Sequence, residues 1–327
     1  MSLTSAPLRL FVTGLNGQLV NALFEQSAYH NCEISAFGLP ELDLSQDEVI
    51  IERIVRDEIK KTGAQAVINA AAYTAVDKAE DEPDLVMAIN GKAPGAIARA
   101  THAAGIPILH ISTDYVFDGQ KKTPWVESDA PSPLGVYGKT KYIGEIAVQT
   151  TTPNHVIFRT SWVYAPFGVN FVKTMLRLAA EGKEEISVVN DQIGNPTSAL
   201  ENASALCQIA RQLVERPDDT SLRGIFHLVG RGQTSWADFA AVIFEGAKKR
   251  KAPFARVKPI SSSDFPTKAK RPLYSCLDTT KLASVYGITL PHWTVSLDVV
   301  LDRLLSYNSA TTEQQTSLSS LNHRKKL

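Results

Sequence analysis

Cysteine is scarce in this chain. Only Cys32, Cys207 and Cys276 occur in 327 residues, far apart and odd in number. They show no disulfide framework and no metal-ligand spacing, and a reducing cytoplasm suits them. Net charge is lacking too, because 34 Lys plus Arg balance 34 Asp plus Glu. No global field draws the chain to nucleic acid or to an anionic membrane. The basic clusters at Lys248 to Lys251 and Arg324 to Lys326 are short, and the first ends an expected helix, where cations meet the negative end of the dipole. Long apolar runs are missing. No stretch reaches the roughly 20 residues of a membrane span, and Met1 to Arg9 does not lead into the apolar run of a secretion signal. What the chain does have is core material, 44% hydrophobic against 21% charged residues, enough for a large buried interior.

That material is distributed rhythmically. Apolar, strand-like runs at Leu8 to Thr13, Glu33 to Phe37, Ala66 to Asn69, Pro107 to Ser112 and Val156 to Thr160 alternate with helical patterns. The helices are expected at Gln18 to Gln26, Asp47 to Lys61, Leu85 to Ala104 and Tyr137 to Gln149. In the second, Ile50, Ile51, Ile54, Val55 and Ile59 fall near one face. For the last, Ser132 is the expected cap and Pro133 the expected first helical residue. The alternation predicts an α/β fold, a doubly wound, Rossmann-like parallel sheet covered on both faces. After Ser161 Pro and Gly become frequent and the rhythm loosens, with clear helical patterns only at Asn170 to Gly182 and Ser235 to Lys249. We therefore expect a dinucleotide-binding domain over 8–160, completed by later segments, and a smaller α/β substrate lobe over 161–305. The Ser-, Thr-, Gln- and Asn-rich stretch 306–327 is expected to be a disordered tail.

The first strand runs into Gly14-Leu15-Asn16-Gly17 and then a helix. Glycines there allow a tight turn and close approach to a pyrophosphate, and the helix N-terminus adds its positive dipole end. An ordinary strand-to-helix turn looks the same. Val20 occupies the usual place of a third glycine, whose role is close helix–strand packing, so a slightly displaced helix is expected. A carboxylate at the end of the second strand would read a ribose 2′-hydroxyl and repel a 2′-phosphate. This strand ends Ala36-Phe37-Gly38, with neither a carboxylate nor an Arg, so NADPH is permitted and NADH as well. Asp43 is suited to an adenine contact or to capping the next helix, as are Ser45 and Asp47 to capping.

Tyr137 and Lys141 are four residues apart on an expected helix and face the same way. An ammonium near a phenol favours the phenolate and lowers a pKa that is ordinarily near 10. The pair can then pass a proton to a carbonyl oxygen as hydride reaches its carbon. Alone, such a pair is as readily a helix-surface pair. Ser112-Thr113, however, ends the fourth strand at the sheet's carboxyl edge, where a hydroxyl can bind the carbonyl. Glycine loop, strand-end Thr and Tyr-x-x-x-Lys in this order point to a short-chain dehydrogenase/reductase.

Within that superfamily the chain resembles the dTDP-4-dehydrorhamnose reductase family. The likeness runs from about Leu8 to Leu304. Its stretches begin with the Gly14 loop, 68–80 (INAAAYTAVDKAE) and 112–119 (STDYVFDG), then 137–141 (YGKTK), 159–164 (RTSWVY) and 170–176 (NFVKTML), and end with 191–197 (DQIGNPT) and Arg271-Pro272. The resemblance implies Thr113, Tyr137 and Lys141 as catalytic. Around the dinucleotide it places Gly14, Asn16, Gly17, Gln18, Leu19, Asp43, Leu44, Ala71, Ala72, Tyr73 and Thr74, with Tyr137 and Lys141. Thr113, Asp114 and Trp162 would touch a nucleotide-sugar substrate, although core packing is the plainer reading of Trp162. The implied reaction is reduction of dTDP-4-dehydro-L-rhamnose to dTDP-L-rhamnose in nucleotide-sugar biosynthesis. Some relatives bridge a homodimer through Mg2+ and a Glu after the glycine loop. Here that stretch reads Val20-Asn21-Ala22, which does not support the metal and leaves a homodimer open. The alternatives are a non-catalytic regulatory subunit resembling that of methionine adenosyltransferase, or another nucleotide-sugar reductase or epimerase.

The missing ribose reader after Phe37 makes a prediction. Activity is expected with NADPH and, measurably, with NADH. Steady-state kcat/KM for the two should differ by less than about a thousandfold, or roughly 4 kcal/mol, and a larger gap would mean that a ribose-reading residue lies elsewhere.

Overall fold

A computed structural model describes residues 6–305. The expected tail at 306–327 lies outside the described residues. The first five strands fall where the alternation predicts, as β1 (Leu8–Thr13), β2 (Cys32–Phe37), β3 (Ala66–Asn69), β4 (Ile108–Thr113) and β5 (His155–Thr160). Four short strands follow, β6 (Val163–Tyr164), β7 (Glu185–Val189), β8 (Ile193–Gly194) and β9 (Thr197–Ser198). After them come β10 (Gly224–His227), β11 (Thr234–Ser235) and β12 (Arg256–Ile260). Six of these form one parallel sheet in the order β10-β5-β4-β3-β1-β2. β3 is buried at every position, as befits a strand covered on both faces. Successive residues feed opposite layers. Leu10, Val12 and Ile68 pack into one core, and Phe11 and Val67 into the other.

The helices of the sheet layers are α1 (Gln18–Ser27), α2 (Glu48–Thr62), the short turns α3 (Val76–Ala79) and α4 (Pro83–Val86), α5 (Ala93–Ala104) and α6 (Val136–Thr151). Asp47 caps α2, its side chain accepting the Val49 N–H, and Gly63 at φ 62° ends it. Its buried stripe is Ile51, Val55 and Ile59, narrower than expected because Ile50 is exposed. The single helix expected over 85–104 is divided by a π-turn at Met87–Lys92. Buried Asn90 in that turn accepts the Tyr73 N–H and donates to the Tyr73 carbonyl, both at 2.9 Å.

Beyond β5 lie α7 (Phe171–Ala180), α8 (Ala199–Glu215), α9 (Trp236–Lys249), α10 (Thr280–Tyr286) and a helix at 293–305. Asn170 and Ser235 are the caps of α7 and α9 rather than their first residues. The pairs β6·β9, β7·β12 and β8·β11 make three two-stranded ribbons, while β10 returns to the edge of the main sheet.

One expectation about α6 is corrected. Ser132 does not cap it and Pro133 lies outside it. The N-cap is Gly135, which carries no capping side chain, and the Val136 N–H donates to Glu80 Oε1 at 2.8 Å. The cap therefore comes from 56 residues upstream, at the end of α3, and no local pattern could announce it. A carboxylate suits that place, since it meets an unpaired N–H and the positive end of the dipole. Glu80→Ala should lower stability by about 1 kcal/mol, the usual size of a lost cap, read as a lower urea midpoint at unchanged slope. An unaltered midpoint would show that the remote cap contributes nothing.

Candidate functional site

The chain leaves β1 through Gly14, at φ 97°, a region open to glycine. The Gly14 N–H donates to the Phe37 carbonyl at 2.6 Å. Gly17 then stands at the N-cap of α1 with no capping side chain. The first-turn N–H groups are thus left for a ligand at an edge where Asn16, Gly17, Gln18 and Leu19 line a cleft. Val20 is buried in the core, its Cγ2 3.4 Å from where a Gly14 Cβ would stand. It fills the space between loop and helix that a glycine would have left.

The cleft holds about 680 Å³ and opens at the carboxyl ends of β1, β3, β4 and β5. The buried polar groups at the carboxyl ends of β1 and β3 are paired. Thr13 Oγ1 donates to Asn69 Oδ1 at 2.7 Å and accepts the Ala71 N–H at 3.0 Å. Asn69 Nδ2 donates in turn to His110 Nδ1 at 3.0 Å. Burial holds the His110 imidazole well below its usual range, so it is neutral and can accept.

Of the residues singled out from sequence, Gly14, Asn16, Gly17, Gln18, Leu19, Ala71, Ala72, Thr74, Thr113, Asp114, Tyr137, Lys141 and Trp162 all line this cleft. Three do not. Asp43 accepts the N–H and hydroxyl of Ser45 in a local turn. Leu44 is buried in a core cluster, and the Tyr73 hydroxyl donates to Glu82 at 2.6 Å. Sequence reading missed Ser161, Asn170, Asn202 and Trp236, which also line it. Asn170 carried a signal in its place at the head of an expected helix. Its side chain accepts the Lys173 N–H and donates to Gln18 Oε1 at 2.9 Å, coupling the starts of α7 and α1.

Thr113, Tyr137 and Lys141 converge from the end of β4 and one face of α6. Thr113 Oγ1 donates to Asp114 Oδ1 at 3.0 Å and accepts the Tyr115 N–H at 3.1 Å. Lys141 Nζ donates to the Ile111 carbonyl at 2.6 Å. Sequence reasoning expected Lys141 to pull the Tyr137 phenol down. Burial dominates instead and pushes the phenol up to about 12, with the Thr113 hydroxyl lowering it and the Asp114 carboxylate raising it further. Burial also pulls Lys141 down to about 8, against the Glu145 carboxylate, which raises it. At neutral pH the phenol is protonated and most of the amine is charged. Asp114, pushed up to about 6 by burial, is hydrogen-bonded by Ser161 at 2.9 Å.

Trp162 both packs and lines the cleft. Its φ of 44° lies in the left-handed region, costly for a bulky residue. Trp236 stacks on it with ring centroids 3.6 Å apart and planes 9° from parallel. Thr197 donates its N–H to the Trp162 carbonyl. Gly194 lies against the ring so closely that a Cβ there would be 2.5 Å from Cε2. Among the described residues no group of three or more His, Cys, Asp and Glu is placed to hold a metal ion. None of their helices is long and apolar enough to cross a membrane.

A cleft of this kind, at the carboxyl edge of a doubly wound sheet, belongs to the short-chain dehydrogenase/reductase class of nucleotide-dependent oxidoreductases. The family model described as the RmlD substrate binding domain matches residues 8–306, and the chain belongs to this family, that of the dTDP-4-dehydrorhamnose reductases. The dTDP-4-dehydrorhamnose reductase of Sinorhizobium fredii is 44% identical over 286 residues, 88% of this chain and 94% of its own length. Among solved structures, the dTDP-4-dehydrorhamnose reductase of Clostridium acetobutylicum is 37% identical with a TM-score of 0.79, covering 90% of this chain and 99% of its own. That of Bacillus anthracis, solved in complex with NADP, is 35% identical with a TM-score of 0.79, covering 90% and 98%.

The crowding around Trp162 is testable. Gly194→Ala should destabilise the protein by about 1–3 kcal/mol, as overpacking does, and should change the near-ultraviolet circular dichroism of the stacked indoles. A variant with wild-type melting and dichroism would show that the ribbon yields freely at this point.

Proposed function

We propose that this chain reduces the 4-keto group of dTDP-4-dehydro-L-rhamnose to dTDP-L-rhamnose with NADPH, as a cytoplasmic enzyme of nucleotide-sugar biosynthesis. The observation that carries the reading is the convergence of Thr113, Tyr137 and Lys141 on the cleft that also receives the open end of α1. The names borne by the relatives support the substrate, and the NADP complex of the Bacillus anthracis reductase supports the cofactor.

The residues present fit a dinucleotide. A glycine turn and an uncapped helix start suit its pyrophosphate, with Gly14, Asn16, Gly17, Gln18 and Leu19 on one side and Ala71, Ala72 and Thr74 on the other. Asp43, Leu44 and Tyr73 remain dinucleotide neighbours on the family resemblance alone. NADPH, when bound, supplies the hydride. Thr113 binds and orients the keto oxygen. Tyr137, kept protonated by burial, donates its proton to that oxygen. Lys141 presents its charge beside the reacting groups, so activity should fall as pH rises through its pKa of about 8. Asp114 and Trp162 bound the sugar site. In this reading 8–160 binds the dinucleotide and most of 161–305 the sugar nucleotide. A homodimer would form without a metal bridge at Val20-Asn21-Ala22, which offers no carboxylate.

The test is turnover of the keto-sugar nucleotide with NADPH, followed as loss of reduced-cofactor absorbance. Tyr137→Phe should lower kcat by about 10²–10⁴-fold, the usual contribution of a positioned acid, while NADPH still binds. A Phe variant that keeps more than about a tenth of wild-type kcat would remove Tyr137 from the acid role. A wild-type protein that binds NADPH and turns nothing over would favour the regulatory-subunit alternative.

A further inference from the structure

Behind the cleft wall lies a buried polar tie with no part in the scheme above. Ser112 Oγ donates to Glu145 Oε1 at 2.5 Å. The same carboxylate takes the Arg159 guanidinium on both oxygens, Nε to Oε1 at 3.0 Å and Nη2 to Oε2 at 2.7 Å. Arg159 is 1% exposed and Glu145 not at all. Ser112 and Arg159 are register partners on β4 and β5, so one side chain of α6 grips two neighbouring strands at once. Glu145 follows Lys141 by four residues and Tyr137 by eight, on the same face of α6. Ser112 immediately precedes Thr113. A buried ion pair is a poor source of stability in itself, because desolvation offsets the attraction. A three-way bidentate contact does fix geometry.

We infer that Glu145 is a positioning residue, which through Ser112 and Arg159 locks the carboxyl end of β4 to the face of α6 and so sets Thr113 against Tyr137 and Lys141. The inference rests on the roles proposed for those three residues. Facing the Lys141 amine are Glu145 on its own helix and His110 and the Ile111 carbonyl on β4, while Tyr137 and Asp114 line the same cleft. From β5 comes Arg159, already held by Glu145. His110 is neutral, and the Glu145 carboxylate raises the Lys141 pKa. Removing that carboxylate therefore moves the loss of the Lys141 charge, and with it the alkaline limb of activity, to lower pH.

The experiment compares wild type, Glu145→Gln and the double variant Glu145→Gln/Arg159→Gln. The double variant keeps amides at both buried positions and leaves no unpaired charge, so it stays informative if the single variant fails to fold. Melting temperature, NADPH Kd, and kcat and KM for the keto-sugar nucleotide are measured across neutral to alkaline pH. For the folded variants kcat should fall about ten- to a hundredfold, as expected of displaced catalytic groups. The alkaline limb should move down by about one pH unit, with NADPH Kd changed by less than about twofold. A folded double variant with wild-type kcat and an unmoved limb overturns the inference. So does a loss of kcat that follows loss of NADPH affinity with no movement of the limb, since that is what a merely structural pair would give. Normal wild-type turnover with such results leaves the proposed reaction standing, whereas absent wild-type turnover overturns both.

Discussion

Everything in this molecule that bears on function depends on where the parallel sheet changes direction. From β1 the chain crosses to β2 on one side, and it returns to place β3 on the other side of β1. The connections that leave β1 and β3 therefore part at their carboxyl ends, and a crevice must open between them. The glycine turn and the strand-end Thr113 line it, and the buried Thr13–Asn69–His110 chain ties β1, β3 and β4 together. Because parallel strands need covered crossovers, the same constraint puts the N-terminus of α1 at the crevice, its first N–H groups free for a ligand.

The polar groups around the crevice owe their protonation to burial more than to one another. Tyr137 rises, Lys141 falls although Glu145 is near, and His110 is held neutral. In each case desolvation of the charged form is the largest cause, and at Lys141 it outweighs an opposing neighbouring charge. At neutral pH the phenol is protonated and most of the amine charged, the state that the proton-donor role proposed for Tyr137 requires.

The far wall works differently. Trp162 keeps an unfavourable backbone conformation because Trp236, Thr197 and Gly194 confine it together. Strain of this kind persists only where the surroundings over-determine it. The three confining residues come from α9, β9 and β8, so the wall is assembled from segments that meet only in the folded chain.

This separates what the chain's order alone determined from what folding decided. The alternation of strands and helices, the glycine loop after β1, Thr113 at the end of β4 and the four-residue spacing of Tyr137 and Lys141 were legible, because each rests on periodicity or on neighbours within one element. Asp47 as the cap of α2 was one of the options that local pattern left open. Glu80 as the cap of α6, Trp236 against Trp162, Ser112 and Arg159 on Glu145, and β10 at the edge of the main sheet were not legible. So too with the upward shift of the Tyr137 phenol, for which the sequence suggested the opposite direction. Each of these depends on contacts between distant segments or on desolvation, and both arise only when the chain packs and water leaves, which no local pattern of residue types records.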